Sequence, residues 1–239
     1  MLRPRDGVAP TTLDGRAPAA HGRAVTLRAA VLLSGSGRTL ENFLELADQG
    51  QLPLDVRLVI SSSRKAFGLE RARRRDVPTA TFVRKQYDSH EAYTEAIFAA
   101  CREAQVELVL LAGYMKIVTP VLISAYPDRM MNIHPSLLPS FPGLDVQQKA
   151  LDWGVKVAGC TVHFVTDKVD EGPIIIQATV PVVDGDTAET LSARILAEEH
   201  RIYPKAVQLF AEGRLTVEGR RVQIRRGPED SKDALFSPS

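Results

Sequence analysis

The chain has 239 residues, and its 30 basic and 29 acidic side chains leave a formal net charge of +1. A chain of this length can bury one sizeable core. The nearly equal numbers of basic and acidic side chains argue against a protein that gains its affinity by neutralising the many phosphates of a nucleic acid. The two cysteines, Cys101 and Cys160, are not at metal-ligand spacing, which predicts buried thiols in a reducing cytosol and no metal site. No apolar run is long enough to span a membrane, and no secretory signal is recognisable. We therefore expect a cytoplasmic protein without nucleic-acid or membrane partners.

The first half of the chain alternates between strand and helix patterns. Residues 1–26 lack apolar periodicity and are predicted to be a disordered leader. From residue 27 onward, short apolar runs alternate with helical patterns, which is typical of a parallel sheet covered on both faces. The basic run 71–75, at the end of one such helix, is predicted to face solvent. Strands are predicted at 27–33, 54–60, 79–83 and 106–111, and helices at 40–47, 67–74 and 89–104.

The second half is less regular. The segment 114–143 is dense in Pro and Gly and contains one short predicted strand, 130–133; long irregular segments of this kind often carry function. Strands at 159–165 and 174–182, a helix at 187–210 with Asp186 as its candidate N-cap, and a hairpin at 213–224 follow.

These patterns predict an α/β fold with a single Rossmann-like domain over residues 27–215. Its sheet is expected to be mostly parallel with helices on both faces, and its irregular C-terminal half is expected to carry the catalytic loops. Residues 216–239 are predicted to form a C-terminal hairpin and a loose tail.

A glycine-rich turn, Ser34-Gly35-Ser36-Gly37-Arg38-Thr39, joins the first predicted strand to its helix. Glycines let backbone amides converge on an anion beside a helix N-terminus, so a phosphate is the ligand that suits this turn best. A dinucleotide is less well matched, because Leu40 replaces the third glycine of that fingerprint and the second strand ends in serines rather than a carboxylate. On this evidence alone, a tight turn without a ligand remains open.

Asn132 and His134 are two residues apart in the strand predicted within the irregular segment, so their side chains should point to the same side. An amide and an imidazole can together donate to the oxygen that becomes negative when a carbonyl is attacked. Either Asp167 or Asp170, in an acidic turn further along the chain, could supply a carboxylate that orients His134. A surface pair and a solvated turn remain alternatives. His163 is interpreted either as a core histidine or as a residue that supports the site.

Several ordered blocks lie between about residues 27 and 215: AFGLERA at 66–72, LAGYMKI at 111–117, NIHPSLLP at 132–139, FPG at 141–143, TVHFV at 161–165, Asp170-x-Gly172-Pro173 and EHxIYP at 199–204. Together they resemble the glycinamide ribonucleotide formyltransferase family. The resemblance implies a metal-free enzyme that transfers the formyl group of its co-substrate, 10-formyltetrahydrofolate, to the amine of glycinamide ribonucleotide in IMP biosynthesis. It leaves open whether the enzyme is a monomer or a homodimer.

By position, the resemblance implies three groups of site residues. Asn132, His134 and Asp170 would form the catalytic trio. Gly37, Arg38 and Thr39 would hold the phosphate of the ribonucleotide, and Glu199 its ribose. The folate would be bound by His90, Met115, Lys116, Ile117, Val118, Asn132, Thr166, Asp167, Val169 and Asp170.

The chain departs from the family pattern at two positions. His90 stands where the family often has an Arg or Lys for the folate's glutamate tail, and nearby Arg84 or Lys85 could serve instead. Glu171 replaces a small residue beside the catalytic Asp.

Related activities share part of this pattern. Ser136-Leu137-Leu138-Pro139 also occurs in formyltransferases that act on methionyl-tRNA, but those enzymes normally append a barrel domain, and the near-zero net charge does not favour a tRNA partner. A formyltetrahydrofolate hydrolase would usually carry an N-terminal regulatory domain, which we do not recognise here. A ligand-binding regulator without turnover would lack a complete trio.

Overall fold

The structure is a computed structural model that describes residues 26–227. The predicted leader up to residue 25 and the end of the predicted tail, 228–239, fall outside these residues. The strands are β1 (Leu27–Leu33), β2 (Leu54–Ser61), β3 (Thr79–Thr81), β4 (Leu108–Leu111), β5 (Met130–His134), β6 (Val157–Phe164), β7 (Ile174–Pro181), β8 (Leu215–Glu218) and β9 (Arg221–Ile224). The helices are α1 (Arg38–Asp48), α2 (Phe67–Arg73), α3 (His90–Glu103), α4 (Pro120–Ala125), α5 (Val146–Asp152) and α6 (Ala188–Ala211), with a 3-10 turn at Arg84–Gln86.

All of these strands form one sheet in the order β3-β2-β1-β4-β5-β6-β7-β9-β8. Strands β1 to β5 run parallel to one another, which confirms the predicted parallel sheet for the first half of the chain. Beyond β5 the sheet is mixed, because β6 runs antiparallel to both β5 and β7. For β6 and β7 the physical reason is the short connection of nine residues, 165–173, since a parallel pair needs a crossover of about a dozen residues or more.

Helices cover both faces of the sheet, as predicted. In β1, Val31 packs into a core formed with α1, α2 and α6, whereas Leu32 packs into a second core formed with α3 and α4. Successive residues of a strand point to opposite faces of the sheet, so one central strand contributes side chains to both cores. The strand ends, rather than the strand faces, are therefore left free to carry a site.

Several details differ from the predictions, among them helix α5 (Val146–Asp152), which no sequence pattern indicated. Asp186 is not the N-cap of α6: Thr187 is, because its side chain accepts from Thr190 N and Thr190 bonds back in a capping box. Asp186 instead pairs with Arg194, at 2.8 Å and 2.9 Å. The segment predicted to be irregular also contains a short helix, α4. This helix is too short for its apolar residues to show a helical repeat in the sequence.

The predicted hairpin is present as β8 and β9, and it extends the same sheet, since Arg221 pairs with Ile174 of β7. Across residues 26–227, no helix has both the length and the apolar character that a membrane crossing requires.

Candidate active site

A cavity of about 890 Å³ lies at the carboxyl ends of β1, β4 and β5. The chain moves from β1 to β2 on one side and places β4 on the other, so the direction of strand order changes here, which is where open α/β sheets bind ligands. The cavity is lined by residues 34–39, 111–118, 132–135, 143–147 and 165–170, together with His163, Ser192, Leu196 and Glu199.

The glycine-rich turn forms one end of this cavity. Gly37 is the N-cap of α1 in the left-handed conformation, φ 71°, and a Cβ atom there would lie 2.5 Å from the Cα of Gly68. No side chain caps α1. Within residues 26–227 no hydrogen bond occupies the amides of Ser36, Gly37 or Arg38. Free amides at a helix N-terminus favour an anion.

Ser34 links this turn to the loop that follows β4. Its amide donates to Gly113 O at 3.0 Å, and its Oγ accepts from Met115 N at 2.8 Å. The Oγ also bonds the hydroxyl of Ser62 at 2.7 Å. The two loops that line opposite parts of the cavity are therefore joined at one residue.

His134 is buried, and acceptors face both of its ring nitrogens. Its Nε2 donates to Phe141 O at 3.0 Å, and its Nδ1 lies 3.4 Å from Oδ2 of Asp170. The same carboxylate oxygen accepts from Gly143 N at 2.9 Å. Because a carbonyl and a carboxylate only accept, this environment suits an imidazole with protons on both nitrogens.

Asn132 lies beside His163 across the antiparallel β5–β6 pair. The Asn132 amide donates to Nε2 of His163 at 3.1 Å, and Nδ1 of His163 donates to Phe164 O at 2.9 Å. This pattern fixes a neutral imidazole with its proton on Nδ1, and burial lowers the pKa of His163 accordingly. His163 Nε2 also lies 3.9 Å from Oδ1 of Asp170. His163 is thus a buried core residue, and it also accepts a hydrogen bond that orients the amide of Asn132.

Glu199 projects from α6 into the cavity beside the glycine-rich turn. Burial raises the pKa of Glu199 to about 7, against the opposing influence of the Arg38 charge. A carboxylate in this position can accept hydrogen bonds from hydroxyl groups of a ligand held at the turn.

Most of the residues assigned to the folate line the same cavity. They include Met115 and Ile117, which are 59% and 64% exposed and offer apolar surface at its rim. His90 is different: it is the first residue of α3, stacks on Tyr93 with ring centroids 6.0 Å apart, and is not among the residues that line the cavity. The remaining assigned residues that line the cavity are Lys116, Val118, Asn132, Thr166, Asp167, Val169 and Asp170.

Some lining residues were not predicted from the sequence. Ser192 and Leu196 lie on α6, and Leu144 and Gln147 lie at the start of α5. Their residue types are ordinary for a helix face or a turn. Only the packing of α5 and α6 against the sheet end brings them to the cavity, and no local pattern could have identified them.

The described residues form an α/β fold whose cavity has free backbone amides at one end and exposed apolar side chains at the other. Residues 27–207 match the family described as formyl transferase. The phosphoribosylglycinamide formyltransferase of Escherichia coli strain K12 is 43% identical over 185 residues, which cover 77% of this chain and 87% of that protein. Among solved structures, glycinamide ribonucleotide transformylase 1 from Symbiobacterium toebii has 53% identity and a TM-score of 0.83, covering 86% of this chain and 97% of that one.

A formyltetrahydrofolate deformylase from Pseudomonas syringae pv. tomato is similar at 27% identity, with a TM-score of 0.78, covering 83% of this chain and 66% of that one. The family match spans most of the described residues, and the chain belongs to the formyl transferase family.

Proposed function

We propose that this chain transfers the formyl group of 10-formyltetrahydrofolate to the amine of glycinamide ribonucleotide, giving the formylated ribonucleotide and tetrahydrofolate in purine (IMP) biosynthesis. The observation that carries the proposal is a single cavity with an anion-binding turn at one end, apolar loops at the other and Asn132, His134 and Asp170 between them. A transfer between two substrates requires such a shared cavity, because the amine and the formyl carbon must meet.

The ribonucleotide phosphate binds at the glycine-rich turn. Its oxygens accept from the free amides of Gly37, Arg38 and Thr39, with the Arg38 guanidinium as an additional positive charge. Glu199 then lies within the same part of the cavity as the ribose and accepts from its hydroxyl groups. The support for this placement is the adjacency of Arg38 and Glu199, whose charges interact.

The folate occupies the opposite part of the cavity, between the loop that follows β4 and the loop between β6 and β7. The apolar side chains of Met115, Ile117 and Val169 pack against its ring system, and polar groups of the β6–β7 loop accept or donate at its edge. His90, Arg84 or Lys85 could contact a glutamate tail only outside the lined cavity.

During transfer, the amine nitrogen bonds to the formyl carbon and the carbonyl electron pair moves to the oxygen. Asn132 has a second amide proton not used by His163, and His134 can exchange its bond to Phe141 O for one to the developing oxyanion. Asp170 holds His134 in place as a cation. The carbon–nitrogen bond to the folate then breaks, and the proton lost by the amine reaches the departing folate nitrogen, with the His134–Asp170 pair assisting.

The test is a two-substrate assay with purified protein. The expected products are formylated ribonucleotide, identified by mass spectrometry, and an equal amount of tetrahydrofolate. Folate turnover without the ribonucleotide should be negligible. Release of formate at the same rate whether or not the ribonucleotide is present would instead identify a hydrolase.

The proposal extends to the working form of the protein. We place a catalytic domain at residues 27–215, acting in the cytoplasm as a monomer or a homodimer, with small molecules as its substrates. The two unpaired, buried cysteines, Cys101 and Cys160, support a reducing compartment. Light scattering on the purified protein would distinguish a monomer from a homodimer.

A further inference from the structure

The glycine-rich turn is held from behind by helix α2. The amide of Gly68 donates to Gly35 O at 3.1 Å, and Nε of Arg71 donates to Ser36 O at 3.0 Å. Two successive carbonyl groups of the turn are therefore bonded to the same helix. The basic run 71–75 was predicted to face solvent, yet Arg71 faces the turn.

These two bonds set the direction of the amides that face the cavity. In a planar trans peptide unit, the C=O and N–H groups point in opposite directions. Among the described residues the only cis peptide bond is Leu138–Pro139, so the peptide units of the turn are trans. Because the carbonyls of Gly35 and Ser36 point to α2, the amides of Ser36 and Gly37 point away from α2, toward the cavity that both residues line.

Arg71 is itself fixed in place. Its Nη1 pairs with Glu41 of α1 at 2.9 Å, and Glu41 also pairs with Arg75 at 2.6 Å. Burial opposes ionisation of Glu41, but the hydrogen bonds and charges of the two arginines together lower its pKa. A guanidinium has enough separate donors to bond Ser36 O and Glu41 at once, which a lysine ammonium on a flexible stem would do less rigidly.

We infer that Arg71 is a positioning residue for the phosphate of the ribonucleotide. It does not line the cavity and does not touch the ligand. It holds Ser36 O so that the amide of Gly37, which belongs to the same peptide unit, meets the phosphate already oriented, and this part of the turn need not be ordered when the ligand binds. The inference rests on the proposed function, because it requires the phosphate to occupy the turn.

The experiment compares Arg71→Gln with Arg75→Gln. Arg75 is the matched control: it lies one helical turn away and shares Glu41, and it also pairs with Asp48, but it makes no bond to the turn. Calorimetry would give the dissociation constants of the ribonucleotide and of tetrahydrofolate, and the transfer assay would give kcat and the inhibition constant of inorganic phosphate against the ribonucleotide.

Arg71→Gln should raise the dissociation constant of the ribonucleotide and the inhibition constant of phosphate by a similar factor, on the order of tenfold. The value of kcat at saturation and the tetrahydrofolate affinity should change by less than about twofold, a split that general destabilisation would not produce. Arg75→Gln should leave both phosphate-dependent constants within about twofold of the wild type.

Equal weakening by the two variants would overturn the inference, because the loss would then come from the shared Glu41 pair. Weaker binding of the ribonucleotide to Arg71→Gln, with an unchanged inhibition constant for phosphate, would overturn the inference as well. Failure of the proposed function is a separate result, since it would be seen in the wild-type protein as absence of transfer or of phosphate competition.

Discussion

At the residue scale, the proposed chemistry depends most on His134, whose two nitrogens both face acceptors. A hydrogen bond to Phe141 O holds one nitrogen, and the Asp170 carboxylate lies beside the other. The charged form of the ring is therefore the form that satisfies both contacts. His134 and Asp170 are therefore proposed to act as one catalytic unit, and replacing either residue should remove the function of both.

His134→Ala and Asp170→Asn should each lower kcat by about 10²-fold or more, the scale on which an oxyanion donor or a positioned acid contributes. The double variant should be little worse than the worse single variant, because the two residues act together. Steady-state kinetics on the three variants would measure this, with ligand affinities measured in parallel.

Glu171→Gln is the control for this series. Glu171 follows Asp170 in the chain but pairs with Lys168 at 3.8 Å and is exposed, so kcat should stay near the wild-type value. Strictly multiplicative losses in the double variant, or full activity in His134→Ala, would rule out the proposed unit.

Glu199 provides a pH-dependent prediction. Its pKa in the folded chain is about 7 and its ordinary value is 4.5, so the unfolded chain ionises this group at lower pH. The folded chain therefore loses stability as pH rises from about 4.5 through about 7, and the loss is complete above that. Glu199→Gln carries no charge to bury, so its stability relative to the wild type should increase between pH 5 and pH 8, by about 1–3 kcal/mol.

Denaturant unfolding at pH 5, 6, 7 and 8 (roughly one point per unit across the titration range) would measure this difference. Glu198→Gln is the matched control, because Glu198 pairs with Arg201 at the surface of the same helix. The explanation by burial would be wrong if both variants gained stability with the same pH profile, or if Glu199→Gln gained none.

At the scale of elements, the glycine-rich turn contains two glycines with different structural roles. Gly35 has open space where a Cβ would be, whereas Gly37 has a positive φ and closely approaches Gly68. A substitution at Gly37 therefore disturbs the fold itself and cannot report on phosphate binding alone.

Gly35→Val should weaken ribonucleotide binding, because its side chain would enter the cavity next to the free amides, while the melting temperature stays close to that of the wild type. Gly37→Val should lower the melting temperature markedly. Calorimetric titration and thermal unfolding of both variants would test this. Unchanged ribonucleotide affinity in Gly35→Val would place the phosphate elsewhere.

The ends of the strands in the first half could be predicted to within two residues, because buried parallel strands are continuous apolar runs bounded by turns. The reversal of β6 relative to β5 could not be predicted, since the connection 135–156 is long enough for either direction. The predicted N-cap of α6 is one residue too early, because Asp and Thr are both favoured at this position. The residue that pairs with Asp186 instead, Arg194, lies eight residues further along the chain, so the sequence gives no local sign of the pair.

The candidate site also contains some residues that the sequence indicates and others that only the three-dimensional structure reveals. The spacing of Asn132, His134 and the glycine-rich turn has a chemical meaning that made them candidates, and the family resemblance selected them over a surface pair and a turn without a ligand. The block AFGLERA could be identified as part of the family pattern, but its purpose is visible only in three dimensions: Gly68 allows the close approach to Gly37, and Arg71 reaches Ser36 O. Likewise, His163 meets Asn132 only through strand pairing.

At the scale of the whole molecule, the sheet brings the two proposed substrates to the ends of two neighbouring strands, β1 and β4. The turn after β1 lines the phosphate end and the loop after β4 lines the folate end. Ser34 connects them through its bonds to Gly113 and Met115. Ordering of one loop by its ligand should therefore favour the ordered form of the other, which gives positive coupling between the two ligands.

We expect tetrahydrofolate to tighten ribonucleotide binding by about three- to tenfold in the wild type, and the ribonucleotide to tighten tetrahydrofolate binding by the same factor, because coupling is reciprocal. Ser34→Ala removes the oxygen that accepts from Met115 N and should reduce this factor toward one. Ser62→Ala is the control: it removes the hydroxyl pair but leaves the Ser34 oxygen for Met115, so it should keep most of the coupling. Calorimetric titration of each ligand, alone and with the other at saturation, would measure the coupling factor in each of the three proteins. If Ser34→Ala keeps the full factor, or if Ser62→Ala loses as much, the coupling does not pass through the Ser34–Met115 bond.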